Sequence, residues 1–245
     1  MVAEQCAFYD DMLFFIENYL KNNNIPLDSD YRNLFSLACK NYTKSYREAV
    51  IKIDAYINKE KRKANSQYLS YLIEYNTIVE KKLYEKCKGI VNFINNNTHN
   101  NNYDDEGKTF FYKMMGDYNK YVCEAQTFKT KNNIDEVNKY YNESLTISNN
   151  LPIYSPNKLG LLLNMTVFYW DILGEKKKAI ELAKSTIKNF EKEEKHLNRD
   201  DDKIKDCFSI LKLLKENLSM WEKLKIRNNE KNKYYLILFK QYDNS

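Results

Sequence analysis

Glycine and proline are scarce in this chain, at 5 and 3 in 245 residues. Sheet-rich folds consume turn residues, and phosphate-cradling loops need glycine where the backbone approaches the ligand. The shortage therefore argues against both and favours long helices with short links. Histidine is rarer still: His99 lies in an Asn-rich run and His196 among Glu and Lys, so neither a His-containing triad nor a His-rich zinc site has material to work with. The 5 cysteines (Cys6, Cys39, Cys87, Cys123, Cys207) are odd in number and include no Cys-x-x-Cys pair. With no apolar leader at the start, that usage fits a reducing, cytoplasmic setting. No stretch approaches the ~18 apolar residues a membrane helix needs, so no membrane insertion is expected.

Lys and Arg total 39 against 34 Asp and Glu, a formal net charge of +5. The basic residues are dispersed rather than blocked, and no RRM, KH, zinc-finger or basic-zipper pattern is present, so nucleic acid is not an expected partner. Catalysis has little to build on. Asp117, Glu124 and Asp171 could be cited as acids, but carboxylates at these spacings read as partners for nearby Lys and Arg. No enzyme activity, cofactor or metal is expected.

Apolar periodicity carries the fold class, which is all-α. Residues 2–20 place Cys6, Tyr9, Met12, Leu13, Ile16 and Leu20 on one helical face. Asp28, Ser29 and Asp30 cap a second helix reaching residue 59, where a basic stretch breaks it. A third helix runs from Tyr68 to Ile94 and dissolves in the polar run NNNTHNNNY. Asp104, Asp105 and Glu106 open a fourth, through Phe111, Met114, Met115, Tyr118 and Tyr121. Residues 134–147, 159–173 (after Pro156, ended by Gly174), 179–190 and 204–221 complete an array of about nine antiparallel helices.

Within this array, residues suited to recognition recur at a spacing of seven: Lys40 with Arg47, Lys113 with Lys120, Asn164 with Asp171, and Leu213 with Met220. Asn217 and Trp221 join the last set. Seven residues is nearly two turns, so each pair lies on one stripe of its helix. A phosphorylated side chain wants several cations and a hydroxyl, which Lys40, Arg47, Lys120 and Tyr121 supply. Asn164 and Asn217 stand among apolar neighbours. Each is either a satisfied core amide or a bracket on the main chain of an extended peptide.

Five segments in order resemble the 14-3-3 family: AEQCAFYDDM, RNLFSLACKNYTKSYR, FFYKMMGDYNKYVCE, SPNKLGLLLNMTVFYWDIL and LLKENLSMW. The resemblance covers residues 3 to 222. It implies a single domain over 1–222 with an amphipathic groove, a cup-shaped homodimer or a heterodimer with another family member, and a phosphoserine/phosphothreonine-dependent adaptor for client proteins. Family phosphate contacts fall on Lys40, Arg47, Lys120 and Tyr121. Peptide contacts fall on Lys113, Gly160, Leu163, Asn164, Val167, Asp171, Leu213, Asn217, Met220 and Trp221. Lys120 stands where the family has arginine, Tyr46 where it has a basic residue and Asp171 where it has glutamate. A lysine gives phosphate a point charge instead of a bidentate fork.

The implied dimer surface involves Val2, Cys6, Phe8, Asp11, Ile53, Tyr56, Ile78 and Lys82. Phe8 replaces a family arginine, and Ile78 and Lys82 replace a lysine and a glutamate, so apolar contact is expected to stand in for ion pairs. Exposed pairs are each worth only about 0–1 kcal/mol. Residues 223–245 depart most, being basic and containing YYLILF. They suit a further helix, an apolar docking segment or an aggregation-prone tail. The competing reading is a phosphate-independent scaffold, because YWDILGEKKKAIELAKSTI resembles a tetratricopeptide unit, although no ~34-residue repeat runs through the chain.

Overall fold

The computed structural model describes residues 5–22, 27–63, 66–98 and 103–242, with backbone alone at 20–22, 98 and 226–242. Among the described residues there are eight α-helices and no strand. The helices form two compact units, Met1–Leu151 and Pro152–Ser245. The first holds α1 (Tyr9–Asn22), α2 (Ser29–Glu60), α3 (Leu69–Thr98), α4 (Asp105–Glu124) and α5 (Lys131–Ser148). The second holds α6 (Pro156–Val167), α7 (Lys176–Glu193) and α8 (Asp202–Tyr242).

Helix starts at Asp28 and Asp104 follow the chemistry read from the sequence, and Ser155 adds a cap that the reading did not name. Asp28 accepts from the Tyr31 amide at 2.9 Å, Asp104 from Gly107 at 2.7 Å, and Ser155 from Lys158 at 3.3 Å with Pro156 just inside the helix. The first segment differs from expectation. The helical pattern from residue 2 is interrupted at Ala7, whose φ is +57°, and α1 begins at Tyr9 with Asp10 and Asp11 in its first turn. The left-handed alanine costs roughly 1–2 kcal/mol. Carboxylates at the positive end of the new helix offset part of it.

In the first unit, Phe35, Cys39, Leu83, Cys87, Ile94, Met115, Tyr118 and Val122 join one continuous core. Each large apolar side chain fully buried contributes roughly 1.5–3 kcal/mol, enough for a handful to outweigh one buried charge. The most deeply buried charged side chain among the described residues is Glu80. Its carboxylate accepts from the amides of Gln126 (3.0 Å) and Thr127 (3.3 Å) at the start of the short 3-10 turn Gln126–Phe128, and from Asn76 at 3.2 Å. An anion aimed at unpaired amide groups is the arrangement that makes burial tolerable. Gly116 is equally constrained. The Tyr141 ring lies on its Cα face so closely that a Cβ would meet Cδ1 at 2.3 Å, and α5 can pack this tightly on α4 only because the position is glycine.

In the second unit α6, α7 and α8 pack on one another around Leu159, Leu161, Phe168, Ala183, Phe190, Leu211 and Leu214. The helix of residues 159–173 is not uniformly α. Phe168–Ile172 widens into a π turn, with the Leu173 amide donating to the Phe168 carbonyl at 3.1 Å, before Gly174 ends it at φ +70°. α3 also runs further than its apolar period, to Thr98, with the Asn97 side-chain Nδ2 donating back to the Phe93 carbonyl at 2.7 Å. Residues 223–242, which the sequence left open, continue α8. No described helix is long and apolar enough to cross a membrane.

Candidate functional site

In the first unit, α2 and α4 bring three of the four predicted phosphate residues together. Arg47 donates through Nε to Glu124 Oε2 (3.1 Å) and through Nη2 to Oε1 (3.1 Å) and Oε2 (2.8 Å). Its guanidinium carbon stands 3.5 Å from the centroid of the Tyr121 ring. Burial opposes the charge on Arg47, but Glu124 and then Tyr121 outweigh it and stabilise the cation. Tyr121 is held as the neutral phenol, its ionisation driven up first by burial and then by Asp117, so its hydroxyl stays available as a donor. Lys120 reaches Glu124 Oε1 at 3.5 Å, and its side chain is only 9% exposed. Lys40, one stripe position before Arg47, is exposed, and its ammonium has no ion pair among the described residues.

Nearly two turns before Lys120 on α4, Lys113 pairs with Asp117 at 2.9 Å, and the other oxygen of Asp117 accepts from the buried Tyr141 hydroxyl at 2.7 Å. The carboxylates at 117 and 124 are thus partners of lysine and arginine, as their spacing suggested. Tyr46 does not simply forfeit a charge. It lies beside Lys86 of α3, whose ammonium sits 3.2 Å from the Tyr42 ring centroid and 5.2 Å from that of Tyr46.

The second unit carries the predicted peptide contacts on two stripes. On α6 and its π turn, Gly160, Leu163, Asn164, Val167 and Asp171 are all partly or fully open, whereas Leu159, Leu161, Leu162, Met165, Thr166 and Phe168 are buried. On α8, Leu213 and Met220 are exposed and Asn217 is half-buried. Trp221, also implied as a peptide contact, is the buried residue of this stripe. It is 2% exposed and stacks on Trp170 with centroids 4.8 Å apart and planes 11° from parallel, so its indole braces the wall. Lys176 extends the stack, 5.3 Å above Trp170. A concavity of about 940 Å³ runs along α8 beside the stripe, with Leu211, Lys215, Met220 and Leu224 among its lining residues.

A family model described as 14-3-3 protein matches residues 1–222. The chain belongs to the 14-3-3 family. It is 32% identical over 222 residues to 14-3-3 protein 8 of Solanum lycopersicum, covering 90% of this chain and 84% of the relative. It is likewise 32% identical to 14-3-3 protein I of Plasmodium falciparum (90% and 86% covered) and to 14-3-3 protein zeta of Bombyx mori (90% and 88%). As a 14-3-3 protein it is a phosphopeptide-binding adaptor, of a family that works by binding rather than by catalysis.

The residues implied for 14-3-3 pairing divide. Phe8, Asp11, Tyr56, Ile78, Lys82 and Cys6 are exposed, while Val2 lies outside the described residues. Ile53, also implied, is 7% exposed and packs in the core of its own unit. The sequence reading missed other open apolar residues, notably Phe15 (67% exposed) on α1 and Tyr71 (70%) on α3, and Tyr75, which falls on the apolar period of α3, is exposed as well. Tyr71 lies off the apolar period of α3, a signal that would have found it. The i,i+4 spacing of Lys120 and Glu124 announced that pair, but Glu124 as the partner of Arg47, 77 residues away, and Trp170 as the partner of Trp221 carried no sequence signal.

Proposed function

We propose that this 14-3-3 protein reads phosphoserine or phosphothreonine through Lys40, Arg47, Lys120 and Tyr121, and takes up the flanking peptide with Lys113 and the α6 and α8 stripes. The observation that carries this is the state of Arg47: charged, stacked on Tyr121 and fixed at one edge, it is ordered before any ligand arrives. An anion then meets cations that need little further ordering, which is where preorganised sites gain affinity. Lys120 in place of the family arginine makes the site a weaker fork, so the expected affinity is lower than that of a site with two arginines. Residues 1–222 act as one domain, with 223–245 as an appended tail, and the protein works in the cytoplasm on phosphorylated clients.

We further propose pairing as a homodimer or with another family member, through the open apolar residues of α1 and α3. Two linked sites would favour doubly phosphorylated clients through effective concentration. The test of the phosphate reading is fluorescence polarisation with matched phosphorylated and unphosphorylated serine peptides on wild type, Lys40→Glu and Arg47→Glu. Phosphate-dependent binding lost in both variants supports it. Equal affinity for the two peptides would sink it.

A further inference from the structure

We infer that Glu124 is the positioning residue of the phosphate site, and that its hold on Arg47 and Lys120 contributes more to phosphate binding than its negative charge subtracts. The inference rests on the phosphopeptide reading above and assigns a role to a residue outside its contact set. A guanidinium has five N–H donors arranged along two usable edges. Glu124 occupies the Nε/Nη2 edge of Arg47 with contacts of 3.1, 3.1 and 2.8 Å, and Tyr121 covers one face at 3.5 Å. What remains is the Nη1/Nη2 edge, which has no hydrogen-bond partner among the described residues and is itself a two-pronged fork for phosphate oxygens. Glu124 therefore sets which edge of Arg47 is presented.

The same carboxylate orders the weaker cation. Lys120 carries its charge on a flexible stem, and Glu124 Oε1 lies 3.5 Å from its ammonium, one helical turn away on α4. Without that oxygen the ammonium keeps only the Tyr121 ring, at 5.0 Å, as a partner among the described residues. Because one carboxylate touches both cations, a single acid fixes their mutual placement across α2 and α4. This matters more here than with an arginine at 120, whose planar group would be better ordered by itself.

Charge alone makes the opposite prediction. A carboxylate beside an anion site repels the ligand, so its removal should tighten binding. The sign of the effect therefore separates the two accounts. We expect Glu124→Ala to weaken binding of a phosphoserine peptide about tenfold, and Glu124→Gln, whose amide oxygen can still accept from Arg47, to weaken it less. Affinity for the unphosphorylated peptide should not move. Arg47→Lys should cost less in the Glu124→Ala background than in wild type, because the fork it destroys is already misplaced.

Fluorescence polarisation on these four variants, with circular dichroism confirming that the near-isosteric Glu124→Gln is folded, decides the matter. Phosphopeptide affinity unchanged or raised in both Glu124 variants, or strictly additive losses with Arg47→Lys, would overturn the inference while leaving the phosphopeptide reading intact. A wild-type protein indifferent to phosphorylation would overturn both.

Discussion

Replacing Gly116 by alanine in the middle of α4 tests whether packing or propensity rules there. A glycine-to-alanine change inside a helix normally stabilises by about 1 kcal/mol. Here the new Cβ would stand 2.3 Å from Cδ1 and 2.4 Å from Cε1 of Tyr141, a ring that is fully buried and tied by its hydroxyl to Asp117 at 2.7 Å. The ring cannot retreat without stretching that bond. Overpacking costs about 1–3 kcal/mol, and weakening a buried hydrogen bond to a carboxylate costs about 1.5–3 kcal/mol more. After the propensity gain is subtracted, the expected destabilisation is ~2–5 kcal/mol. For a protein of this size that lowers Tm by roughly 4–20 °C. Thermal unfolding followed by circular dichroism measures it, with Tyr141→Ala as the second arm of a cycle. Once the ring is gone, Gly116→Ala should cost nothing or gain its propensity. A variant as stable as wild type, or losses that simply add, would refute the reasoning.

Three further outcomes follow from the same geometry. Trp221→Ala should act first on stability, losing about 3–5 kcal/mol as a buried aromatic, so that its melting temperature falls before any peptide is added. Burial raises the thiols of Cys87 to about 12 and Cys123 to about 11. The unfolded thiols release their protons near 8.5, so the unfolded state binds fewer protons and stability falls as pH rises from about 9 towards 11, by up to ~1.4 kcal/mol per unit for each thiol. Urea titrations at pH 8, 9 and 10 check the sign, and a flat or rising midpoint would contradict it. If apolar contact carries the proposed dimer, sedimentation at micromolar concentration should show no dissociation when salt is raised from 0.1 to 0.5 M, whereas Tyr75→Glu should give a monomer. Dissociation by salt would mean that ion pairs still hold it.

The helices were legible because their signals are local. Asp28, Asp104, Ser155 and Gly174 each announce a boundary through a side chain or dihedral that acts within a few residues. The break at Ala7 was not, since nothing in an alanine signals a positive φ, and the π turn at Phe168–Ile172 hides in a run whose apolar period is unbroken. The site follows the same division. A seven-residue spacing reveals that Lys40 and Arg47 share a stripe, and it finds Lys113 and Lys120 on another. It cannot reveal that Glu124 binds Arg47 from 77 residues away, because that contact exists only once α2 and α4 are packed. The same is true of the Trp170–Trp221 stack and of Ile53, whose apolar character fits a core and a dimer face equally well until burial assigns it to the core. Sequence spacing thus identifies which groups a helix offers. Packing decides which of them are spent inside the chain, and in this protein it spends Trp221 and Ile53 while leaving one edge of Arg47 open.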